Sequence, residues 1–354
     1  MEIEGQKTMN LKGNLAYSYQ VARSMHFTMQ QISLPFFESV TSGKNKFRTI
    51  EYPEFIKKLL QELLQLLKED SENIATGLYP LEVLRPEDPR NHFLRYPKIL
   101  FDGFFLSRRR EGLKSKEFTS QAQEFLNEMP EYFRRNFHFQ TDGYLSEHSA
   151  ELYEHQVEIL FSGAADAMRR LVIPLLRKEI QNLSGEGLNF LEVGAGTGRL
   201  TKFMSLSYPK AKIVASDLSP PYLKKAQENL QNFPRIDFVQ AAAENLPFKA
   251  QSFDLAYSCF LFHELPQEVR RKVIQEAHRV LKPEALFAFV DSAQKHDIVA
   301  KAELLEHFPK EFHEPFYKNY TLHPMEDLLK EEGFEILQSR ARLFSKAVLA
   351  RKKA

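Results

Sequence analysis

One cysteine, Cys259, stands in 354 residues, so the chain can close no disulfide within itself and has no thiolate pair for a zinc site. Tryptophan is absent, and any aromatic pocket must be built from the 30 Phe and 13 Tyr. Net charge is nearly absent too: 48 Lys+Arg against 47 Asp+Glu leave +1, about −2 over residues 1–186 and +3 over the rest. RNA and anionic membranes are usually met by a basic excess, which neither half has. No apolar run approaches the roughly 20 residues of a membrane helix. Met1 to Met9 is polar and mixed in charge rather than signal-like, so a cytoplasmic location is expected. What remains is ordinary globular composition, 43% hydrophobic and 27% charged, in a length that suggests two domains or one domain with a large appendage.

The first half reads as helices. From Tyr52 to Glu69 the residues Phe55, Ile56, Leu59, Leu60, Leu63, Leu64 and Leu67 recur at three- and four-residue spacing, with Pro53 at the start. Weaker helical patterns cover Asn14 to Phe37, Tyr96 to Arg110 and Phe118 to Phe133, each broken by a proline: Pro35, Pro97 and Pro130. Thr76 to Pro97 is expected to be an irregular crossing. Helices follow over Glu147 to Phe161, capped by Ser146, and over Ala164 to Glu179. After Ser184-Gly185-Glu186-Gly187 the pattern changes. Short β-rich runs at Asn189–Val193, Lys212–Ser216, Ile236–Gln240, Phe253–Ser258 and Ala285–Val290 alternate with helices, one opened by Ser219-Pro220-Pro221 and one over Gln267 to Leu281. Such alternation implies right-handed crossovers and a mainly parallel sheet. A short helix, Met325 to Glu332, is closed by Gly333. The runs Phe334–Ser339 and Leu343–Ala350 then lie too close for a crossover and read as an antiparallel pair at the sheet edge.

The most informative stretch is LEVGAGTG, Leu191 to Gly198, at the end of the first strand. Glycines at 194, 196 and 198 let backbone approach a ligand closely. A dinucleotide fingerprint would place its third glycine at 199, where Arg199 stands instead. Asp217 ends the second strand, where a carboxylate can accept both hydroxyls of a ribose. A glycine-rich turn without any ligand is the bland alternative.

In these residues the sequence resembles a class I S-adenosylmethionine-dependent methyltransferase, of the small-molecule, type 11 branch that includes the ubiquinone and menaquinone C-methyltransferases. The resemblance runs from about Leu188 to Lys352. LEVGAGTG is similar to the family's glycine motif, ASDLS (Ala215 to Ser219) to its second strand, AAAENLPF (Ala241 to Phe248) to the loop after the third, SFDLAYSCFLFHELP (Ser252 to Pro266) to the fourth strand, and RVLKPEALFAFVD (Arg279 to Asp291) to the helix and fifth strand. It implies a Rossmann-like, doubly wound α/β fold with a seven-stranded mainly parallel sheet and an antiparallel last strand, residues 187–354, preceded by a helical region, residues 1–186. It implies S-adenosyl-L-methionine as cofactor, held by Glu192, Gly194, Ala195, Gly196, Gly198, Asp217, Leu218, Ala243, Glu244 and Ser258. Two positions depart from the family. Ala242 stands where an adenine-binding aspartate is frequent, and Pro283-Glu284-Ala285 replaces Pro-Gly-Gly. Physically, the cofactor's carboxylate suits the amides that open the helix after Gly198, and its sulfonium tolerates Phe and Tyr faces.

The acceptor is read from negatives. The Asn/Asp-Pro-Pro-Tyr signature of amide and base-nitrogen methylation is missing, since Ser258-Cys259-Phe260-Leu261 follows the fourth strand. Cys259 has no neighbour in sequence that would lower its pKa and reads as packing. No Asp/Asn cluster at magnesium-binding spacing is visible, and no metal is expected. His263 is a candidate general base, with strand-end orientation as the rival reading, and Glu264 reads as the acidic opening of the next helix. Two segments dense in His, Tyr and Phe, Asn136 to Gln156 and His307 to His323, are expected to close over the methyl group as a lid. Their candidates for acceptor binding are Tyr144, His148, Tyr153, His313, Glu314, Tyr317 and Tyr320. Arg108-Arg109-Arg110 suits an anionic substrate or, more simply, a solvated face. The sequence therefore reads as a methyltransferase acting on a small molecule under a helical cap. The alternatives are a protein or RNA methyltransferase with a docking domain, or a silent S-adenosylmethionine-binding protein.

Overall fold

A computed structural model of the chain describes residues 9–42, 53–86, 89–112, 114–298, 305 and 313–353. Seven strands form its centre: β1 (Asn189–Val193), β2 (Lys212–Asp217), β3 (Ile236–Gln240), β4 (Phe253–Cys259), β5 (Leu281–Ser292), β6 (Phe334–Arg342) and β7 (Ser345–Lys352). Their spatial order is β3-β2-β1-β4-β5-β7-β6. The first five run parallel, while β7 lies antiparallel between β5 and β6. This is the doubly wound sheet expected from the alternation, with the antiparallel last strand. Winding proceeds one way from β1 to β3 and the other way from β4 onward, so a crevice opens where β1 and β4 end side by side.

Twelve helices are labelled among the described residues: α1 (Leu11–Ser42), α2 (Pro53–Ala75), α3 (Pro89–Glu111), α4 (Ser120–Leu126), α5 (Glu147–Leu160), α6 (Ala165–Arg169), α7 (Val172–Glu179), α8 (Arg199–Ser207), α9 (Pro220–Asn229), α10 (Gln267–Val280), α11 (Tyr317–Leu322) and α12 (Met325–Glu331). Strand alternation sends β-residues to opposite faces, and the two faces bury different helices. Phe190, Tyr257, Ala288 and Leu349 share a core with α6, α7 and α8, and behind these with Leu66, Leu67 and Ile74 of α2. Leu191, Ala256, Phe289 and Val348 pack instead on Val273, Ile274 and Ala277 of α10, and on Tyr320 and Leu329 of α11 and α12.

The N-terminal helices are also fixed by buried polar contacts. Arg170, 1% exposed, holds Asp70 of α2 through two bonds of 2.9 and 2.7 Å, and the Tyr79 hydroxyl donates to the same carboxylate. Arg199, the residue that displaced a third glycine, grips Asp166 of α6 through Nε and a second guanidinium nitrogen.

Several helix boundaries differ from the sequence reading. α1 continues through Pro35 and α3 through Pro97, and α3 begins inside the stretch expected to be irregular. Packing outweighs the lost amide in α1, where Ser24 and Gln31 bond the carbonyls of Ser162 and Leu160 across the neighbouring turn. The expected helix Phe118 to Phe133 is only α4 and a separate 3-10 turn, Glu131–Phe133. The expected helix Ala164 to Glu179 is the two short helices α6 and α7. Strand β5 starts at Leu281, four residues earlier than expected, and carries Glu284 at φ +60°, the conformation for which a glycine is favoured at this turn.

Candidate active site

The loop after β1 turns on glycines at φ +73°, +56° and +82°, residues 194, 196 and 198. The amides of Gly194 and Ala195 both donate to the Ser216 carbonyl at 2.9 Å, which pins the loop to the end of β2. The amide of Gly196 donates to Asp217 Oδ2 at 2.7 Å, and that of Ser219 to Oδ1 at 2.8 Å, so the carboxylate is oriented before any ligand arrives. A Cβ built on Gly196 would meet nothing within 4 Å, so that glycine faces open space. Gly198 is different. Its Cβ would lie 2.5 Å from Leu230 Cδ1, so this glycine serves the close packing of α8 on the end of α9.

A pocket of about 650 Å³ of non-atom space, part of it open to solvent, lies in the crevice between this loop and the end of β4. Glu192, Gly194, Ala195, Gly196 and Asp217 line it from the sheet side, together with Thr197, Cys259, Phe260 and Leu261. Phe133, Tyr144, Tyr153, Glu154 and Arg169 line it from the N-terminal side. Burial pushes the Glu192 carboxyl up to about 8, with Thr201 Oγ1 donating to it, and pushes Asp217 up to about 6 against the amides that favour its charge. Arg169, 3% exposed, pairs with Glu154 at 2.9 Å and lies 5.7 Å from the Phe260 ring centre. Its guanidinium beside the glycine loop, the amides of that loop, Asp217 and the open side of Gly196 make a cradle that fits a zwitterionic nucleoside.

Two lining residues, Tyr144 and Glu264, also belong to a cluster of charged and phenolic side chains behind the pocket wall. The Tyr144 hydroxyl donates to Glu264, and His138 Nε2 lies 3.0 Å from that hydroxyl and 3.4 Å from Glu264 Oε1. His138 Nδ1 is 3.0 Å from Glu314 Oε1. His263 Nδ1 meets Asp291 Oδ1 at 2.6 Å, and Asp291 Oδ2 accepts the amides of Leu261 and Phe262, which fixes the turn that carries His263. Burial alone would lower the His263 imidazole, but the fully buried Asp291 outweighs it and raises the pKa to about 9. The partner that orients His263 therefore also favours its charged form, which bears on its candidacy as a general base. His138 is raised as well: burial opposes this, and Glu314 and Glu264 prevail. His138 and Phe139 adopt φ +54° and +56°, a costly backbone for non-glycine residues that is more frequent at functional sites. Gly143 closes the same loop, where a Cβ would lie 2.3 Å from the Arg135 carbonyl oxygen.

The remaining candidates fall elsewhere. Leu218 packs against Met129 and Leu145 of the N-terminal region. Ala243 packs in the core of α10, and Glu244 accepts the Tyr132 hydroxyl at 2.9 and 3.0 Å. Ser258 is 1% exposed, and its Oγ has no hydrogen-bond partner. His148 is exposed on α5, away from the pocket residues. His313 is held near the site through its backbone, its carbonyl accepting the His138 amide at 3.4 Å, and burial lowers its imidazole to about 4. Tyr317 is 5.9 Å from the His263 ring and shares a 2.7 Å bond with Ser292. Tyr320 is fully buried, donates to the Ser292 carbonyl and packs on Arg270, a core role. Residues 307–312 of the second segment lie outside the described residues. Arg109 of the arginine triple is 7% exposed and bonds the Phe139 carbonyl and Thr141, so it supports the His138 loop.

Sequence reading singled out neither His138 nor Asp291, Arg169 or Glu154, and gave Glu264 only a helix-opening role. His138 could have been suspected from its place in the aromatic-rich segment. Asp291, at the end of β5, carries no signal until the sheet sets it beside β4.

Residues 190–284 match the family described as Methyltransferase domain. The chain is 35% identical over 113 residues to an uncharacterized methyltransferase, sll0829, of Synechocystis, covering 32% of this chain and 51% of that protein. It is 29% identical over 204 residues to the ubiquinone/menaquinone biosynthesis C-methyltransferase UbiE of Pseudoalteromonas translucida, covering 51% and 80%. It is 29% identical over 137 residues to the phthiotriol/phenolphthiotriol dimycocerosates methyltransferase of Mycobacterium tuberculosis, covering 39% and 50%. The chain thus spans about half the length of the first and third of these relatives. Among the described residues no helix is long and apolar enough to cross a membrane.

Proposed function

We propose, from a glycine-loop domain that is a class I S-adenosylmethionine-dependent methyltransferase, that this chain methylates a small molecule at oxygen, carbon or nitrogen under a cap made by residues 1–186. The observation that carries the reading is the position of Glu264. It lines the pocket with the glycine loop, and it also contacts Tyr144 and His138 from the N-terminal region. The pocket beside the glycine loop therefore meets, at Glu264, a buried polar cluster that includes side chains of the N-terminal region. The names of the UbiE and phthiotriol relatives, which act on small molecules, support the same acceptor class.

S-adenosylmethionine supplies a methyl group on a positively charged sulfur. Asp217, ionised above about pH 6, would take the ribose hydroxyls, and the loop amides with Arg169 would hold the amino-acid end. Phe260 and Tyr153 exclude water around the transferring carbon. His263 is proposed to touch the acceptor through Nε2, its other nitrogen being held by Asp291. Tyr144, Glu314 and Tyr317 surround that position, and catalysis then rests on alignment and closure. A cytoplasmic location belongs to the same proposal.

The test is to supply labelled S-adenosylmethionine with a cell extract separated into small-molecule, protein and RNA fractions. Label in the small-molecule fraction is expected, and at limiting S-adenosylmethionine it should be much reduced with the Asp217→Ala protein. Label confined to protein or RNA would replace the acceptor class, and none anywhere despite cofactor binding would favour a silent binder.

A further inference from the structure

His138, Glu264 and Glu314 come from three distant segments: the loop before α5, the 3-10 turn after β4 and the residues before α11. One ligand-capable atom from each lies within 4.8 Å of the other two. The Glu314 side chain is wholly buried, and neither of its oxygens has a hydrogen-bond partner, its contact with His138 being an ion pair alone. A buried carboxylate with an unmatched oxygen is costly unless something positive meets it. His138 and His263 together face three carboxylates, Glu264, Glu314 and Asp291, and Asp291 already holds His263.

We propose that His138, Glu264 and Glu314 form a binding site for a divalent transition cation of the Zn²⁺ type. The donor set is mixed nitrogen and oxygen, which suits Zn²⁺ and its first-row neighbours; Mg²⁺ prefers oxygen alone and keeps its waters. Ligand atoms of a tetrahedral site with bonds of ~2.1 Å are about 3.4 Å apart. The 3.4 Å between His138 Nε2 and Glu264 Oε1 meets that spacing, and a pair at the 4.8 Å limit would have to close by about 1.4 Å. A fourth ligand is at hand. His263 Nε2 is 3.8 Å from Glu264 Oε1, while its Nδ1 is held by Asp291, the carboxylate–histidine arrangement that orients metal-binding imidazoles. The second such cluster, His296, Asp297 and Glu326, lacks the orphaned oxygen: Lys346 already pairs with both of its carboxylates. Because Glu264 also lines the pocket, an open coordination position there would take an acceptor that presents a hydroxyl or carbonyl oxygen. That last step rests on the methyl-transfer reading; the cation site does not.

The full chain, stripped of metal, is titrated with zinc chloride by calorimetry and with cobalt chloride by visible absorption. One equivalent is expected, with cobalt bands of four- or five-coordinate nitrogen and oxygen ligation. His138→Ala and Glu314→Gln should each weaken binding at least tenfold, and Glu326→Gln should leave it unchanged. Melting curves and S-adenosylhomocysteine calorimetry establish that each variant is folded. Should one fail, His138→Gln replaces it. No stoichiometric binding by the folded wild type, or binding unmoved by both substitutions, overturns the site. Metal binding without S-adenosylhomocysteine binding would sink the methyltransferase reading and leave the cation site standing, and the reverse would do the opposite.

Discussion

The two ends of the proposed site are built by different means. The nucleoside end is mostly backbone: three glycines at positive φ, amides aimed at Ser216 and Asp217, and one strand-end carboxylate, all within residues 192–219. The proposed acceptor end is side chain throughout, with His138, Tyr144, His263, Glu264, Asp291 and Glu314 gathered from four segments and mostly buried. Backbone geometry fixed by local sequence makes a rigid cradle for a constant ligand. Side chains brought from afar can be exchanged singly, which is how one fold comes to serve many acceptors.

Glu314→Ala should separate the two ends most sharply. Turnover is expected to fall at least about a hundredfold, while S-adenosylhomocysteine affinity stays within about threefold, because only the acceptor end is disturbed. Parallel losses in both would mean that the ends are one unit. Tyr153→Ala is a poorer test, since Tyr153 lines the cradle beside Arg169. Asp217→Ala is the reciprocal experiment. Loss of hydrogen bonds to a charged group should cost about 1.5–3 kcal/mol of nucleoside affinity, roughly 10- to 150-fold, with turnover at saturation little changed. Calorimetry showing full affinity would place the ribose elsewhere.

Gly198→Ala tests whether that glycine serves packing rather than the ligand. A methyl 2.5 Å from Leu230 Cδ1 at φ +82° should lower stability by about 1–3 kcal/mol and leave affinity in the folded fraction nearly intact. A selective loss of affinity would return Gly198 to the binding site.

The pH dependence follows from burial. With Asp217 raised to about 6, nucleoside affinity should fall as pH drops through 6, approaching tenfold per unit, and Asp217→Asn should flatten the curve. The charge that bears on it is that of Glu264; Glu192 and Tyr132, also near, are held neutral at that pH by burial. For the free protein the sign is reversed. Folded values raised above the unfolded ones mean that Asp217 and Glu192 contribute stability at low pH that is lost as pH rises through about 6 and 8. Glu192→Gln should melt later than the wild type at pH 9 and match it near pH 5. The smallest effect is expected for Tyr132→Phe, which removes the hydroxyl bonds to Glu244 and should weaken nucleoside binding by about 0.5–1.5 kcal/mol if Glu244 faces the adenine. No change would confine Glu244 to holding the N-terminal region.

The cradle was legible because its parts are near each other in sequence and each carries a local physical reason. Glycine at 196 is tied to a positive φ, Ser219-Pro220-Pro221 to a helix start, and Asp217 to a strand end. The strand alternation was legible for the same reason, and so was the close pairing of β6 with β7. Less readable were helices whose prolines are overruled by packing, such as α1 through Pro35 and α3 through Pro97. His148 and Tyr153 show the limit within one helix. Five residues apart on α5, one is exposed and the other faces the pocket, a choice set by the neighbour against which the helix lies.

Sequence by itself determined the sheet, the glycine turn and the carboxylate at the end of β2, since each depends on backbone conformation and periodicity encoded within a few residues. Tertiary structure alone decided that Asp291 stands behind His263, that Arg109 braces the His138 loop, and that Glu314 is buried with unmatched oxygens. Those facts are contacts between residues far apart in the chain. No local propensity specifies them, because the electrostatics of a buried charge depend on which other charges the fold sets beside it.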